Sequence, residues 1–325
     1  MNNFEWAEAT NIDEAMSLIT DTSAYKAGGV DLLDLMKEHI AAPKRIVNIR
    51  NISGFDQIKE DGGVLHLGPM LTLAKIADDK TIRSKCAAIA DSAGHAATPQ
   101  IRNMATLGGN LLQRPRCWYF RNELFHCRKK GGEICYAQEG ENQYHAIFNN
   151  QLCAIVHPSA LACALVAHGA KLEIAGAGDK KREAVLEEFL TLPSVDLHRE
   201  NSIQPGELIT DILVPTPADG TKSIYIKQGE KESFDWPIAE IAMVLTMDGE
   251  KCKSASIVLG AAAPVPHRAK EAEAALIGQA INEQTAQAVA KAAVNGATPL
   301  AQNGYKISLF ENLLTRTLLA AKGNA

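Results

Sequence analysis

Long apolar runs are missing from this 325-residue chain. No stretch approaches the ~20 consecutive residues that a membrane-spanning helix needs. The N-terminus, Met1-Asn2-Asn3-Phe4-Glu5-Trp6, is polar and acidic and shows no charged-then-apolar export pattern. A soluble chain is therefore expected, one that leaves the cytoplasm only with a partner. Excess positive charge is missing as well. Lys and Arg number 33 against 38 Asp and Glu, a formal net charge of -5, which leaves no basic field for nucleic acid. Internal repeats, low-complexity segments, Ser/His/Asp triads and paired-carboxylate motifs are absent too, so no acid–base or nucleophilic residue is assigned. Cysteine is present but odd in number: seven, at positions 86, 117, 127, 135, 153, 163 and 252. That argues against a disulfide framework.

The length suits two domains. The first part alternates helix and strand: a short amphipathic helix from Ile12 to Ile19, a strand from Ala24 to Ala27, a helix from Leu32 to Ile40 and a strand from Arg45 to Ile49. Those elements form a βαβ unit. A strand over Val64–Leu67 and helices over Leu73–Ala77 and Ile82–Ala97 follow, and Thr98-Pro99 breaks the pattern. Residues 101 to 157 show little periodicity. Helix resumes after Pro158, with Ser159 as its N-cap. Pro215-Thr216-Pro217-Ala218-Asp219-Gly220 is the best linker. Beyond it come a strand over Ser223–Gln228, a hairpin of Ile238–Met247 with Lys251–Ala261, and helices over His267–Ile277, Asn282–Val294 and Leu309–Ala321. Strands followed by helices make this second part α+β.

Two glycine loops carry the first chemistry. Lys26-Ala27-Gly28-Gly29-Val30-Asp31-Leu32-Leu33 joins a strand to a helix. Paired glycines let backbone approach a ligand, and the helix that follows points free N–H groups and its positive dipole end at the same place, as a pyrophosphate requires. Ala105-Thr106-Leu107-Gly108-Gly109-Asn110 offers a second set of donors. A plain tight turn explains either loop alone. Ala-Gly-Gly-x-Asp-Leu followed by Ala-Thr-Leu-Gly-Gly-Asn, at this separation, resembles the FAD-binding subunits of the xanthine dehydrogenase, aldehyde oxidoreductase and carbon monoxide dehydrogenase family.

The resemblance covers most of the chain. It implies an α+β fold: a two-subdomain FAD-binding domain of the vanillyl-alcohol-oxidase-like, PCMH type over residues 1–216, then a small α+β C-terminal domain over 217–325. The subdomains would be about 1–60 and 61–216, the latter with an insertion at about 113–153. The resemblance further implies that residues 26 to 33 cradle the FAD pyrophosphate and that Thr106, Gly109 and Asn110 contact the cofactor. Lys227 matches a position often near the flavin; on its own it reads equally as a solvated strand residue. Relatives commonly carry His-Pro-Ser-Asp where this chain has His157-Pro158-Ser159-Ala160, so an acidic contact is replaced by a methyl group.

Cys117, Cys127, Cys135 and Cys153 fall in the aperiodic segment, separated by nine, seven and seventeen residues. Inert buried thiols, a zinc site and an iron–sulfur cluster all remain open on spacing. Arg114, Arg116, Arg121, Arg128, Lys129 and Lys130 favour the cluster, whose four thiolates leave net negative charge. A subset of these flavin subunits, of the aldehyde oxidoreductase and 4-hydroxybenzoyl-CoA reductase types, carries a 4Fe-4S-binding loop after the second glycine motif. The resemblance therefore implies a 4Fe-4S cluster on these cysteines. His126, His145 and His157 are read as structural. The implied partners are a molybdopterin-binding large subunit, where the organic substrate reacts, and a 2Fe-2S small subunit. The implied role is electron transfer to an external acceptor through FAD. A freestanding flavin oxidase and a scaffold that has lost FAD are the rival readings.

Overall fold

The computed structural model describes residues 1–178, 180–232 and 234–323. The chain opens with β1 (Glu5–Glu8), α1 (Ile12–Leu18), β2 (Ser23–Lys26), α2 (Val30–Lys37) and β3 (Arg45–Asn48). Asn11 caps α1, its side chain accepting from the Glu14 N–H. β2 and β3 are parallel neighbours joined through α2, the expected βαβ unit. β1, which shows no apolar alternation, adds itself parallel to the other side of β3. That central place explains why Ile46 and Val47 are wholly buried while β1 is mostly exposed. α2 begins two residues before the expected Leu32 and ends at Lys37, ahead of Ile40.

A second sheet follows. It contains β4 (Ile58–Asp61) and β5 (Val64–Leu67) before a run of short helices: α3 (Leu73–Asp78), α4 (Lys80–Lys85), α5 (Ala87–Gly94), α6 (Pro99–Arg102) and α7 (Leu107–Leu111). α8 (Ala160–Ala167), β6 (Lys171–Gly176), β7 (Lys180–Val185), α9 (Leu186–Phe189) and β8 (Leu208–Pro215) complete it. The strand order is β4-β5-β8-β6-β7, antiparallel throughout. The single helix expected from Ile82 to Ala97 is two, broken at Cys86 where φ is -134° and ψ 54°. All eight residues of α8 are buried, so it has no polar face. Ser159 caps it as expected, its hydroxyl accepting from the Ala162 N–H at 3.0 Å.

β9 (Thr221–Gln228), β10 (Ala239–Asp248), β11 (Lys251–Gly260) and β12 (His267–Arg268) form an antiparallel sheet ordered β12-β11-β10-β9. α10 (Lys270–Leu276), α11 (Glu283–Ala293) and α12 (Tyr305–Gly323) pack on one face, where Ile241, Met243 and Leu259 meet Phe310, Leu314 and Leu318. Tyr225, Ala242 and Val258 on the other face join the core built around α5 and α8. The helix expected from His267 starts only at Lys270, because His267 and Arg268 pair with Leu259 and Val258. Among the described residues no helix is long and apolar enough to cross a membrane.

Candidate functional site

The two glycine loops meet. A Cβ on Gly28 would stand 1.9 Å from the Met104 carbonyl oxygen, so that position packs backbone on backbone and tolerates no side chain. Gly29 has φ of 80°, the left-handed region, and is the N-cap of α2 without any side-chain cap. The first-turn N–H groups of α2 therefore face outward with the helix dipole behind them. In the second loop the Gly108 N–H donates to the Pro69 carbonyl at 2.8 Å. Thr106 spends its hydroxyl as the cap of α7, accepting from the Gly109 N–H at 3.3 Å. Asn110 accepts from the Ser159 hydroxyl at 2.6 Å, which ties this loop to the start of α8.

Between the loops lies a cleft of about 610 Å³, within the range of small-molecule and cofactor sites. Lys26, Ala27, Gly28, Gly29, Val30, Asp31 and Leu32 line it, as do Thr106, Gly109, Asn110 and Lys227. Leu33 does not: its N–H donates to the Gly29 carbonyl inside the helix. Ala160 also lines the cleft, with no carboxylate there. Lys227 donates to the His95 carbonyl at 3.0 Å, and partial burial lowers its pKa. It is half-buried at the edge of the cleft.

Arg114, Arg116, Arg121 and Lys129 are engaged with carboxylates, whereas Arg128 and Lys130 donate to backbone carbonyls. Asp31 accepts from Arg116 at 2.8 Å and Arg121 at 2.7 Å, and from the Arg114 N–H at 2.9 Å. Asp34 accepts from the same two guanidinium groups. Glu200 takes Arg114 at 3.1 Å and the buried Lys129 at 2.8 Å. Only part of this charge therefore addresses the cysteines, chiefly Arg128 towards Cys135 and Lys129 towards Cys153. Glu200→Gln leaves the Lys129 ammonium unpaired in a buried place and is expected to cost about 3–5 kcal/mol, read as a lower urea midpoint.

Behind the cleft, Tyr225 donates its hydroxyl to Glu240, whose other carboxylate oxygen is buried without a partner. Burial raises the Glu240 carboxyl to about 7 against the pull of Tyr225, Lys227 and Lys306. Its folded value lies above the unfolded one. Its contribution to stability is therefore complete below about 4.5 and is lost as pH rises through about 7. Lys306, lowered to about 7 by burial, acts in the separate window between there and 10.5. Glu240→Gln should flatten the decline in stability with pH between about 4.5 and 7, measured as melting temperature across that range.

The four cysteines of the aperiodic segment line one small cavity of about 10 Å³, walled also by Tyr119, Tyr136 and His145. The chain doubles back here through Gly132, where a Cβ would fall 1.8 Å from the His126 carbonyl oxygen. Backbone N–H groups near the sulfurs favour the thiolates against burial: Tyr119 and Phe120 for Cys117, Ala137 and Ala154 for Cys135, Ile155 for Cys153. Cys153 and nearby backbone N–H groups lower the pKa of the Cys135 thiol against its burial, whereas burial pushes Cys117 up to about 12. Among the described residues no group of three or more His, Cys, Asp or Glu side chains is arranged to hold a metal ion. His145, expected from sequence to be structural, sets Nε2 3.2 Å from the Cys117 sulfur. Cys86, Cys163 and Cys252 are inert and buried elsewhere.

Comparison with known proteins decides the family. Residues 2–217 match the FAD binding domain in molybdopterin dehydrogenase, and residues 224–321 match the CO dehydrogenase flavoprotein C-terminal domain. The chain belongs to the FAD-binding subunits of the xanthine dehydrogenase/CO dehydrogenase molybdenum hydroxylase family. It is 33% identical to the aldehyde oxidoreductase FAD-binding subunit PaoB of Escherichia coli over 93% of this chain and 92% of that one. It is 27% identical to the carbon monoxide dehydrogenase medium chain of Afipia carboxidovorans, over 99% and 98%. Among solved structures it superimposes on the reconstituted CO dehydrogenase from Oligotropha carboxidovorans at a TM-score of 0.78 and 25% identity, covering 100% of this chain and 99% of that one. The family binds FAD, and its members of this kind are oxidoreductase subunits.

Against that family background, several lining residues had no mark in sequence. Tyr225, Phe234 and Trp236 border the cleft, and so does Arg116, which the sequence marked only as a neighbour of the cysteines. Trp236, half exposed, stacks on the Arg116 guanidinium at 5.0 Å. The one available signal was the rarity of tryptophan, three in the chain.

Proposed function

We propose that this chain is the electron-transfer flavin subunit of its complex, carrying FAD in the cleft between the two glycine loops. The observation that carries the reading is the meeting of these loops around the uncapped start of α2. Val30, Asp31 and Leu32 would offer backbone N–H groups to the pyrophosphate, as anion sites at helix N-termini do. The Asp31 carboxylate is paired with its arginines and so does not oppose that charge. Thr106 acts by capping α7 and so fixing the second loop, while Gly109 and Asn110 face the cofactor. Lys227 and Tyr225 lie towards the third sheet, where they can orient the ligand and exclude water.

Cys117, Cys127, Cys135 and Cys153 would hold a 4Fe-4S cluster. Four cysteine thiols in one lining supply the donor set that such a cluster takes, and backbone N–H groups near sulfur are a common means of setting its potential. Bound, the flavin supplies two-electron storage that can be filled singly, and the cluster supplies a one-electron carrier. The partners implied are a molybdopterin large subunit, which would transform the organic substrate, and a 2Fe-2S small subunit. The PaoB relative is named for an aldehyde oxidoreductase, which supports an aldehyde-type complex.

An anaerobic reductive titration of the full chain tests the role. Uptake of the two flavin electrons plus one more is expected. Uptake of two would remove the cluster, and no uptake would leave the scaffold reading standing.

A further inference from the structure

The cysteine insertion reaches the flavin cleft through its arginines. Arg116 and Arg121 flank Cys117, the Arg121 N–H donates to the Cys117 carbonyl at 2.9 Å, and both side chains close on Asp31 and Asp34 of α2. Arg116 itself lines the cleft, with its Nε buried and lacking a partner among the described residues. α2 is held at its other end by the same insertion. Leu35 packs with Phe120 and Cys127, and Cys117 and Tyr136 close that small core. One helix therefore offers its N-terminus to the cleft and rests its body on the cysteine site.

The charges make the arrangement consequential. Asp31 and Asp34 lie in the first turns of α2, where a pyrophosphate would be seated, and both line the cleft. Unpaired, two carboxylates at that spot would repel the dianionic ligand and offset the helix dipole. The cations that neutralise them come from the insertion, on either side of a cysteine.

We infer that FAD binding and filling of the cysteine site are coupled through Arg116 and Arg121: the assembled insertion delivers the arginines that make the α2 terminus hospitable to pyrophosphate. The inference rests on the reading of the cleft as the FAD site and of the cysteines as cluster ligands. Coupling of this kind is reciprocal. A filled cysteine site tightens FAD binding, and bound FAD retains the iron.

The test is FAD affinity of the deflavinated full chain by flavin fluorescence, with iron content and a melting curve on each sample. Cys135 does not line the cleft, so Cys135→Ser can reach FAD only through the insertion. Cys135→Ser is expected to lose iron and to weaken FAD binding about tenfold, within the usual span of coupled sites. Arg116→Gln should keep its iron and weaken FAD by a similar factor. FAD should also slow iron loss from the wild type to a chelator, an arm that decides the matter if Cys135→Ser does not melt cooperatively. Wild-type affinity in iron-free Cys135→Ser, or in Arg116→Gln, overturns the coupling. A wild-type chain that binds FAD but no iron overturns the cluster assignment instead, and Arg116→Gln still decides the role of the arginine.

Discussion

Gly28→Val is expected to leave the purified chain without flavin. The added Cβ would lie 1.9 Å from the Met104 carbonyl oxygen and 2.9 Å from its carbon. Both atoms are backbone, so neither can swing aside as a long side chain would. The two loops would have to part, and overpacking of this kind costs about 1–3 kcal/mol even where relaxation is allowed. Here relaxation itself moves apart the two walls that must grip one ligand, so affinity should fall by about a hundredfold. Gly29→Ala acts differently: its φ of 80° and the nearest atom, the Lys26 Cε at 3.0 Å, predict strain without collision and a smaller loss of about 1 kcal/mol. Gly304→Ala, where nothing lies within 4 Å, is the control and should keep its flavin. Flavin released by denaturation and measured per chain reads all three. Wild-type occupancy in Gly28→Val would mean the loops do not form the FAD site.

Changing any one of Cys117, Cys127, Cys135 or Cys153 to serine should abolish or sharply reduce bound iron, because a cluster held by four thiolates rarely survives on three protein sulfurs. Cys86, Cys163 and Cys252 lie in apolar surroundings away from that cavity, so their serine variants should retain iron. The contrast separates ligand loss from general damage. Metal analysis on anaerobically purified protein supplies the readout. Equal iron in all seven variants would remove the assignment.

How much of this could be read from sequence follows from the range of each interaction. The capped helix at Ser159, the hairpin of β10 and β11 and the βαβ unit are local patterns, and each forms. β1 was illegible because three of its four residues are exposed and its pairing with β3 is forty residues away. β6, β7 and β8 also went unread. β7, Lys180–Val185, is charged and mostly exposed, an edge strand without apolar alternation. The break at Cys86 is a matter of backbone angles within an apolar run that continues through it.

The cleft shows the same division. The glycine loops declare themselves by composition, and all but Leu33 of the residues expected to contact FAD border one cavity. What those loops lack in sequence is their counterpart. Asp31 meets Arg116 and Arg121 across more than eighty residues, and nothing in either segment announces the pairing. The basic residues were legible as a group near the cysteines. The direction of Arg114, Arg116, Arg121 and Lys129, towards α2 and Glu200, is set by tertiary packing alone. His145 was unreadable for the same reason: its place beside Cys117 depends on Asn303 and Lys306, which hold the His145 carbonyl from the distant start of α12.

The visible spectrum of the full chain, purified without oxygen and recorded before and after dithionite, tests FAD and cluster together. Resolved flavin bands over a broad iron–sulfur absorption are expected, and both should bleach. A colourless protein that binds no added FAD would contradict the site described here.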